Sequence, residues 1–217
     1  MSHTLRMGAL AAALILAAGC KPASTGAASD AAPAETAPAA AEAPPAAPAT
    51  PTEGVKAALG KFLEVKSYRA QMIDVPTGKT TATLEYVAPD RFRVSMAGGP
   101  QQVFIGRTAY FTLNGKTTKT DLAANMPTPR ESSEKALQML DTAQVTAAGE
   151  DTIGGEPADV YLAVLANPAG ESKTWVSKRT GLPLQSETKA SAAGITMHNR
   201  LVYADYNDAS IKIDPPQ

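Results

Sequence analysis

The chain has 217 residues, of which 44% are hydrophobic, and its 20 basic side chains nearly balance its 21 acidic ones. Nucleic-acid binders usually carry a basic patch and a high isoelectric point, so the isoelectric point of about 6.1 argues against that class. The single cysteine excludes an internal disulfide.

The first 20 residues have the pattern of an export signal. Arg6 supplies a positive charge, and residues 7–18 form an apolar run of about a dozen residues, too short for a bilayer that requires ~20. The run leads into Ala18-Gly19-Cys20. This pattern closely resembles the signal of bacterial lipoproteins, which implies that residues 1–19 are a cleaved signal peptide.

In that family the cysteine is acylated and becomes the first residue of the mature protein. The resemblance implies that Cys20 is the lipidation site and carries two or three acyl chains such as palmitate, which anchor the protein in a membrane. Each buried CH₂ group contributes about 0.8 kcal/mol of membrane affinity. In enteric bacteria, Asp directly after the acylated cysteine retains a lipoprotein in the inner membrane. Lys21 stands at that position here, so the resemblance implies the periplasmic face of the outer membrane, with the inner membrane as the alternative. A thiol that follows an ordinary secretory signal is the alternative for Cys20.

Residues 20–52 are predicted to be the acylated cysteine followed by a disordered tether. After Lys21 the segment consists almost entirely of Ala, Pro, Ser, Thr and Gly with a few acids, and it contains no aromatic residue. Its prolines interrupt every helical stretch. A flexible coil of roughly 32 residues has an end-to-end distance of ~30 Å, so the tether holds the following domain loosely at the membrane.

Residues 53–217 are predicted to form one domain of about 165 residues, enough to bury roughly 70% of its chain surface. A helix capped by Thr52 opens this domain, and beyond it the apolar period changes to two, which predicts half-buried strands. The helix places Val55, Leu59, Phe62 and Leu63 on one face. The alternating apolar positions of the first three strands are Tyr68, Ala70 and Met72, then Ala82, Leu84 and Tyr86, then Phe92, Val94 and Met96.

The rest of the domain continues the same pattern. Asn114-Gly115 predicts a hairpin, and the basic segment 116–119 after it predicts a solvated strand edge. Thr128, Pro129 and Glu131 predict a capping box at the start of a second helix. The second helix is predicted at 129–141, and further strands are predicted at 103–105, 108–113, 145–153, 158–165, 172–177, 182–189 and 195–206.

About ten antiparallel strands and two or three helices define the fold class as α+β, mainly β. A strongly twisted sheet of this size rarely stays bare. The helices are therefore predicted to cover one face of a curved antiparallel sheet. An apolar space that the helices do not completely fill is a usual place for a ligand.

Four segments resemble a known family in their order and composition. They are Val87–Arg93, Asp151–Ala158, Trp175–Leu184 and Val202–Tyr206. With the helices between them, they resemble the lipoprotein-carrier superfamily (LolA/LolB-like) over nearly all of residues 53–217. The resemblance implies an unclosed β-barrel with helices at its mouth, and binding of acyl chains or lipids or sensing of lipoproteins.

One position departs from that family. Ala88 precedes the proline of the first hairpin region, where the soluble carrier has an arginine that helps to close the cavity. The mechanism of the carrier therefore does not transfer to this chain. The tether also fits an anchored acceptor or sensor better than a shuttle that crosses the periplasm.

The sequence offers little for catalysis. His198 is the only histidine after residue 19, and the chain has no Gly-x-Ser-x-Gly, His-Glu-x-x-His or phosphate-binding glycine loop. His198 lies in a predicted strand, where a solvent-facing or hydrogen-bonded role is the simpler interpretation. We therefore expect no enzyme activity, no cofactor and no metal site.

The leading hypothesis is a monomeric, non-enzymatic protein that binds a lipid or an acylated lipoprotein in a cavity between sheet and helices. The alternative is an envelope protein-interaction or stress-sensor module whose cavity is packed. The helix at 129–141 is the predicted lid, acting through Leu137 and Leu140, and core packing is the alternative role of every ligand candidate. The predicted ligand-binding residues are Trp175, Met72, Leu84, Tyr86, Phe92 and Met96.

Overall fold

The computed structural model describes residues 50–123, 126–166, 169–192 and 195–216. Eleven antiparallel strands form one open sheet in this part of the chain, with two α-helices. The predicted α+β, mainly β fold is confirmed. The predicted signal peptide, Cys20 and nearly all of the tether lie outside the described residues.

The elements follow the chain order that the sequence predicts. The helices are α1 (Pro51–Glu64) and α2 (Pro129–Met139). The strands are β1 (Ser67–Asp74), β2 (Lys79–Val87), β3 (Arg91–Met96), β4 (Gln101–Ile105), β5 (Thr108–Leu113), β6 (Lys116–Asp121), β7 (Gln144–Ile153), β8 (Glu156–Ala166), β9 (Ala169–Ser177), β10 (Pro183–Ala192) and β11 (Ile195–Ala204). Neither helix has the length and apolar character that a membrane span requires in the part described.

Helix α1 begins two residues before the predicted boundary at residue 53. Thr50, not Thr52, is its N-cap, and the Thr50 hydroxyl accepts a hydrogen bond of 3.2 Å from the backbone N–H of Glu53. Pro51 occupies the first helical position, where its missing N–H costs nothing because that group has no partner within a helix. Pro51, which the sequence assigns to the proline-rich tether, is therefore the first residue of α1.

The eleventh strand is β6, which the sequence indicates only as a solvated edge. Its side chains are polar throughout, so they leave no apolar alternation. The hairpin before it creates the strand, because Asn114 and Gly115 adopt φ values of 51° and 75°. Two successive residues with positive φ form the turn that suits a two-residue hairpin.

The sheet is built from two arms that meet in its middle. The strand order is β6-β5-β4-β3-β2-β1-β11-β10-β9-β8-β7, so β6 and β7 are the two edges. Helix α2 lies between these edge strands in sequence, so the segment that contains it must connect opposite edges. Its N-terminus has the predicted capping box, in which Thr128 accepts from the Glu131 N–H and the Glu131 carboxylate accepts from the Thr128 N–H at 2.6 Å.

We call the side of the sheet against which α1 and α2 pack the helix face. Phe62 of α1 contacts Tyr68 of β1 and Tyr203 of β11, with ring centroids 4.9 Å and 5.2 Å apart. Phe62 and Tyr68 belong to a buried cluster that continues through β2 to β5. The main core therefore joins α1 to the middle of the sheet.

Candidate functional site: an apolar pocket under the helices

A pocket of about 470 Å³ lies between the helix face and the two helices. Its walls come from both helices, from the segment before α2 and from both arms of the sheet. The lining residues are Val55, Leu59, Phe62, Tyr68, Leu84, Phe92, Val94, Pro127, Pro129, Ser132, Ser133, Ala136, Met139, Leu140, Ala163, Leu165, Ser172, Thr174, Pro183, Ser186, Thr188, Leu201 and Tyr203. None of these side chains carries a charge.

The two helices are tied to each other at both ends. Arg130, at the start of α2, donates a hydrogen bond from Nη1 to the carbonyl of Leu63 near the end of α1. At the opposite ends, the Lys56 ammonium lies 2.6 Å from the Asp141 carboxylate. The helices therefore run antiparallel across the pocket.

Helix α2 is the less deeply packed of the two. Residues 129–139 include no buried residue, whereas α1 buries Gly54, Val55, Ala58 and Phe62. The first strongly buried residue of this segment is Leu140, at the helix C-cap, which is 6% exposed. Helix α2 thus covers the pocket with few apolar contacts holding it there.

Three of the predicted residues line the pocket. They are Leu84 on β2, Phe92 on β3 and Leu140 after α2. Leu137, the other predicted lid residue, packs against the buried cluster around Leu140 without being among the pocket-lining residues.

Tyr86, Met72 and Met96 lie on the helix face but outside this pocket. Tyr86 is 2% exposed, and its hydroxyl donates a hydrogen bond of 3.1 Å to the carbonyl of Pro89, so it is a core residue. Met72 and Met96 are 37% and 45% exposed and lie opposite Ala82 in one cross-strand row. That row continues through Leu201, which does line the pocket, so the two methionines extend its apolar surface towards solvent.

Trp175 lies on the other face of the sheet, which corrects its predicted place in the cavity. It is paired with Val160 and Gln185, whereas the neighbouring Thr174 is paired with Tyr161 and Ser186 on the helix face. The Trp175 indole is 4% exposed and packs in a small cluster on its own side.

The Trp175 indole N–H has a partner on that same side of the sheet. It donates a hydrogen bond of 2.9 Å to the Asp151 carboxylate. This bond, with a second one from the Thr152 N–H, holds the pKa of Asp151 below its ordinary value. The tryptophan is therefore structural, with its polar atom satisfied away from the pocket.

His198 takes part in an ion-pair group on the same outer face. Its Nε2 lies 2.7 Å from Glu187 Oε1, and Arg200 donates to the other oxygen of that carboxylate at 2.7 Å. Burial disfavours the charge of Glu187, but the hydrogen bonds from Arg200 and His198 outweigh it and lower the pKa of Glu187. The hydrogen-bonded interpretation of His198 is confirmed. The described residues contain no group of three or more side chains that could hold a metal ion.

Sequence reasoning predicted three of the 23 lining residues, and two of the groups that it missed show why. The sequence places Val55 and Leu59 on the apolar face of α1, but it contains no signal that distinguishes a pocket-lining residue on that face from a core residue. Four hydroxyl residues on β9 and β10 were also missed, because an alternating pattern assigns polar residues to solvent. They are Ser172, Thr174, Ser186 and Thr188.

The fold and the site define a class of protein: an open antiparallel sheet with two helices laid across an uncharged pocket. No protein-family model matches the chain, and no curated protein matches it either. Solved structures do match. The lipoprotein LppX of Mycobacterium tuberculosis is 13% identical with a TM-score of 0.55, over 75% of this chain and 97% of that chain.

LprF of Mycobacterium bovis is 9% identical with a TM-score of 0.58, over 77% of this chain and 99% of that chain. At these identities the likeness concerns the fold alone. A LolA superfamily protein of Nitrosomonas europaea also matches, at a TM-score of 0.30 that is too low to add to the argument. The chain therefore has the fold of LppX and LprF, in agreement with the lipoprotein-carrier type of fold that its sequence resembles.

Proposed function

We propose that this protein is a lipoprotein of the bacterial cell envelope that binds a lipid, or the acyl chains of another lipoprotein, without catalysing a reaction. The observation that carries the proposal is the pocket between the helices and the sheet. Its volume of about 470 Å³ falls within the range of small-molecule sites, and its lining is mainly aliphatic and aromatic. An acyl chain in this pocket gains the burial of apolar surface without displacing a charged group.

The same observation favours ligand binding over the alternative, a protein-interaction or stress-sensor module with a packed cavity. Folded interiors are packed as densely as organic crystals and contain few voids larger than a water molecule. A pocket of this size beside exposed apolar side chains such as Met72 and Met96 is unusual for a surface with no ligand.

We further propose that α2 is a lid. Its few buried contacts and its two polar ties to α1 suit a helix that moves aside while the rest of the core stays packed. Arg130→Ala removes one tie, so we expect faster exchange of a bound acyl fluorophore in stopped-flow measurements. Glu134→Ala is the matched control, because Glu134 pairs with Arg130 within α2 but makes no tie to α1. Equal exchange rates in both variants would contradict the lid.

The proposed organisation places the signal peptide at residues 1–19, the anchor and tether at 20–52 and the folded domain after them. We expect Cys20→Ser to move the protein from the membrane to the soluble fraction of cells. Lys21→Asp should keep the protein on membranes but shift it from the outer to the inner membrane in an enteric host. Membrane attachment of the Cys20→Ser variant would refute the anchor.

The pocket is tested by filling it. Ala136 on α2 lines the pocket and is itself exposed, so Ala136→Trp adds volume to the pocket without replacing a core side chain. We expect at least a tenfold loss of affinity for an acyl fluorophore, measured on the full chain carrying Cys20→Ser so that no attached acyl chain competes. Gln138→Trp is the matched control, since Gln138 is exposed on α2 and does not line the pocket.

Native mass spectrometry of the protein extracted from membranes provides the second measurement. We expect a bound lipid or acylated peptide to be retained in the gas phase. If no lipid is retained and the acyl fluorophore does not bind, ligand binding is rejected and the interaction-module alternative takes its place.

A further inference from the structure

The pocket has two chemically different walls. On one arm of the sheet, β2 and β3 contribute Leu84, Phe92 and Val94, which present only carbon atoms. On the other arm, β9 and β10 contribute the four hydroxyl residues named above. We call those four residues the hydroxyl patch.

The register brings the hydroxyl patch together. Ser172 is paired with Thr188, and Thr174 is paired with Ser186. Side chains directly opposite each other on antiparallel strands have Cβ atoms about 5 Å apart, and side chains two residues apart along one strand are about 7 Å apart, so the four residues form a compact rectangle on the helix face. Strands lie about 4.8 Å apart, and β10 is three places from β2 in the sheet, so the patch is roughly 14 Å from the wall at Leu84.

Most of the patch has unused hydrogen-bonding capacity. Ser186 exchanges a hydrogen bond of 3.2 Å with the Tyr203 hydroxyl. Within the described residues, the hydroxyls of Ser172, Thr174 and Thr188 make no side-chain hydrogen bond, and no buried polar side-chain atom lacks a partner. Ser172 and Thr174 are half-buried, Thr188 is exposed, and all three line the pocket, so their hydroxyls are open to it rather than sealed in the core.

The absence of charge from the 23 lining residues is the second observation. Three cations on the helices are engaged outside the pocket: Lys56 pairs with Asp141, Lys61 donates to the Thr180 carbonyl, and Arg130 pairs with Glu134 and the Leu63 carbonyl. The fourth, Lys135, is exposed on α2 and does not line the pocket. An ionised carboxylate or phosphate in this pocket would lose its hydration without gaining a counter-charge, which is strongly unfavourable. A plain alkyl chain would instead cover the open hydroxyls and leave them unsatisfied.

We propose that the pocket selects uncharged acyl esters, with the chain against the carbon wall and the ester or glycerol hydroxyl on the hydroxyl patch. The inference rests on the proposed function and names its ligand class. An ester carbonyl accepts hydrogen bonds from Ser or Thr hydroxyls, and a glycerol hydroxyl both donates and accepts. Such groups occur in free acylglycerols and in the diacylglyceryl group of a lipoprotein.

The test measures displacement of an acyl fluorophore from the full chain carrying Cys20→Ser, at about pH 8. The competitors are 1-monopalmitoylglycerol, palmitate and a synthetic peptide bearing an S-diacylglyceryl cysteine. We expect the monoacylglycerol to displace the fluorophore at a concentration at least tenfold below that of palmitate. The peptide should also displace the fluorophore at a lower concentration than palmitate does. If the peptide competes better than the monoacylglycerol, the ligand comes from a lipoprotein; if the monoacylglycerol competes better, the ligand is a free acylglycerol.

A near-isosteric variant separates the patch from the pocket as a whole. A triple variant removes three hydroxyls with little change in side-chain volume: Ser172→Ala, Thr174→Val and Thr188→Val. We expect the advantage of the monoacylglycerol over palmitate to fall at least fivefold while the fluorophore still binds. Thr83→Val, on the opposite face of β2, is the control and should leave that advantage unchanged.

Two results would overturn the inference. One is palmitate binding as tightly as the monoacylglycerol, and the other is a triple variant with the wild-type preference. Both leave the proposed function standing, because acyl ligands still bind. Failure of the fluorophore itself to bind would reject the proposed function and the inference together.

Discussion

Two glycines in α1 allow a matched test of how the helix packs on the sheet. A Cβ atom added at Gly54 would lie 2.6 Å from the hydroxyl oxygen of Tyr161 and 2.7 Å from its Cζ. Tyr161 is 7% exposed, so its ring has little room to move away. A Cβ atom added at Gly60, two turns further on, would meet nothing within 4 Å.

The two substitutions to alanine should therefore have opposite signs. Replacing a helical glycine by alanine contributes about 0.5–1 kcal/mol, and Gly60→Ala should raise the free energy of unfolding by that amount. Gly54→Ala gains the same propensity but overpacks the contact with Tyr161, which costs about 1–3 kcal/mol. The middle of these two ranges gives an expected net loss of about 1 kcal/mol for Gly54→Ala.

Urea unfolding of the full chain carrying Cys20→Ser measures both changes. For a domain of this size, each 1 kcal/mol shifts the melting temperature by about 2–4 °C, so thermal unfolding provides a second reading. If Gly54→Ala is as stable as Gly60→Ala, the close approach of α1 to β8 at Tyr161 is wrong. The wall that Val55 and Leu59 give to the pocket would then be wrong as well.

Three further predictions concern other parts of the fold. Leu140→Ala should lower the free energy of unfolding by about 2 kcal/mol or more in urea titrations, because Leu140 is buried, and Leu137→Ala should cost less because Leu137 is only half-buried. The folded-state pKa of Glu187 lies below its ordinary value of 4.5, so its ion-pair stabilisation is present above that value and is lost as the pH falls through the lowered pKa. Glu187→Gln should therefore lower the free energy of unfolding at pH 7 and flatten its decrease between about pH 5 and pH 3 in urea titrations. An unchanged pH dependence in this variant would contradict the assignment. Trp175 is the only tryptophan in the chain and lies on the face away from the pocket, so its emission maximum should not change when an acyl ligand binds, whereas a blue shift on binding would place the ligand on the other face.

Local sequence signals were sufficient for most of the elements. The capping box of Thr128 and Glu131 and the Asn114-Gly115 turn depend on residues three or fewer positions apart, so they can be identified without knowing the fold. The period of two in β1 to β3 also assigned Leu84 and Phe92 correctly to the helix face. The order of elements then limited the fold class to an open sheet covered by helices.

Trp175 illustrates what alternation alone leaves undecided. Within β9, Trp175 and Thr174 necessarily face opposite ways, but hydrophobicity suggested that the tryptophan faces the cavity. The pairing of Thr174 with Ser186 and Tyr161 places the threonine there instead. Register between strands is a tertiary property, and it also gathers the hydroxyl patch from two strands whose residues look solvent-facing in sequence.

The sequence by itself determined the start of α2, the strand alternation and the lack of known catalytic motifs, because each depends on short-range spacing or composition. The start of α1 was predicted two residues too late, because Thr50 and Thr52 are both possible N-caps. Tertiary structure decided which part of the helix face forms the pocket. Helix α1 crosses the strands, because Gly54 near its start lies against Tyr161 of β8 and Phe62 near its end contacts Tyr68 of β1, so it covers one stretch of each strand and not its full length. Helices α1 and α2 therefore cover only part of the sheet, enclosing Leu84 and Phe92 but leaving Met72 and Met96 exposed at its uncovered end.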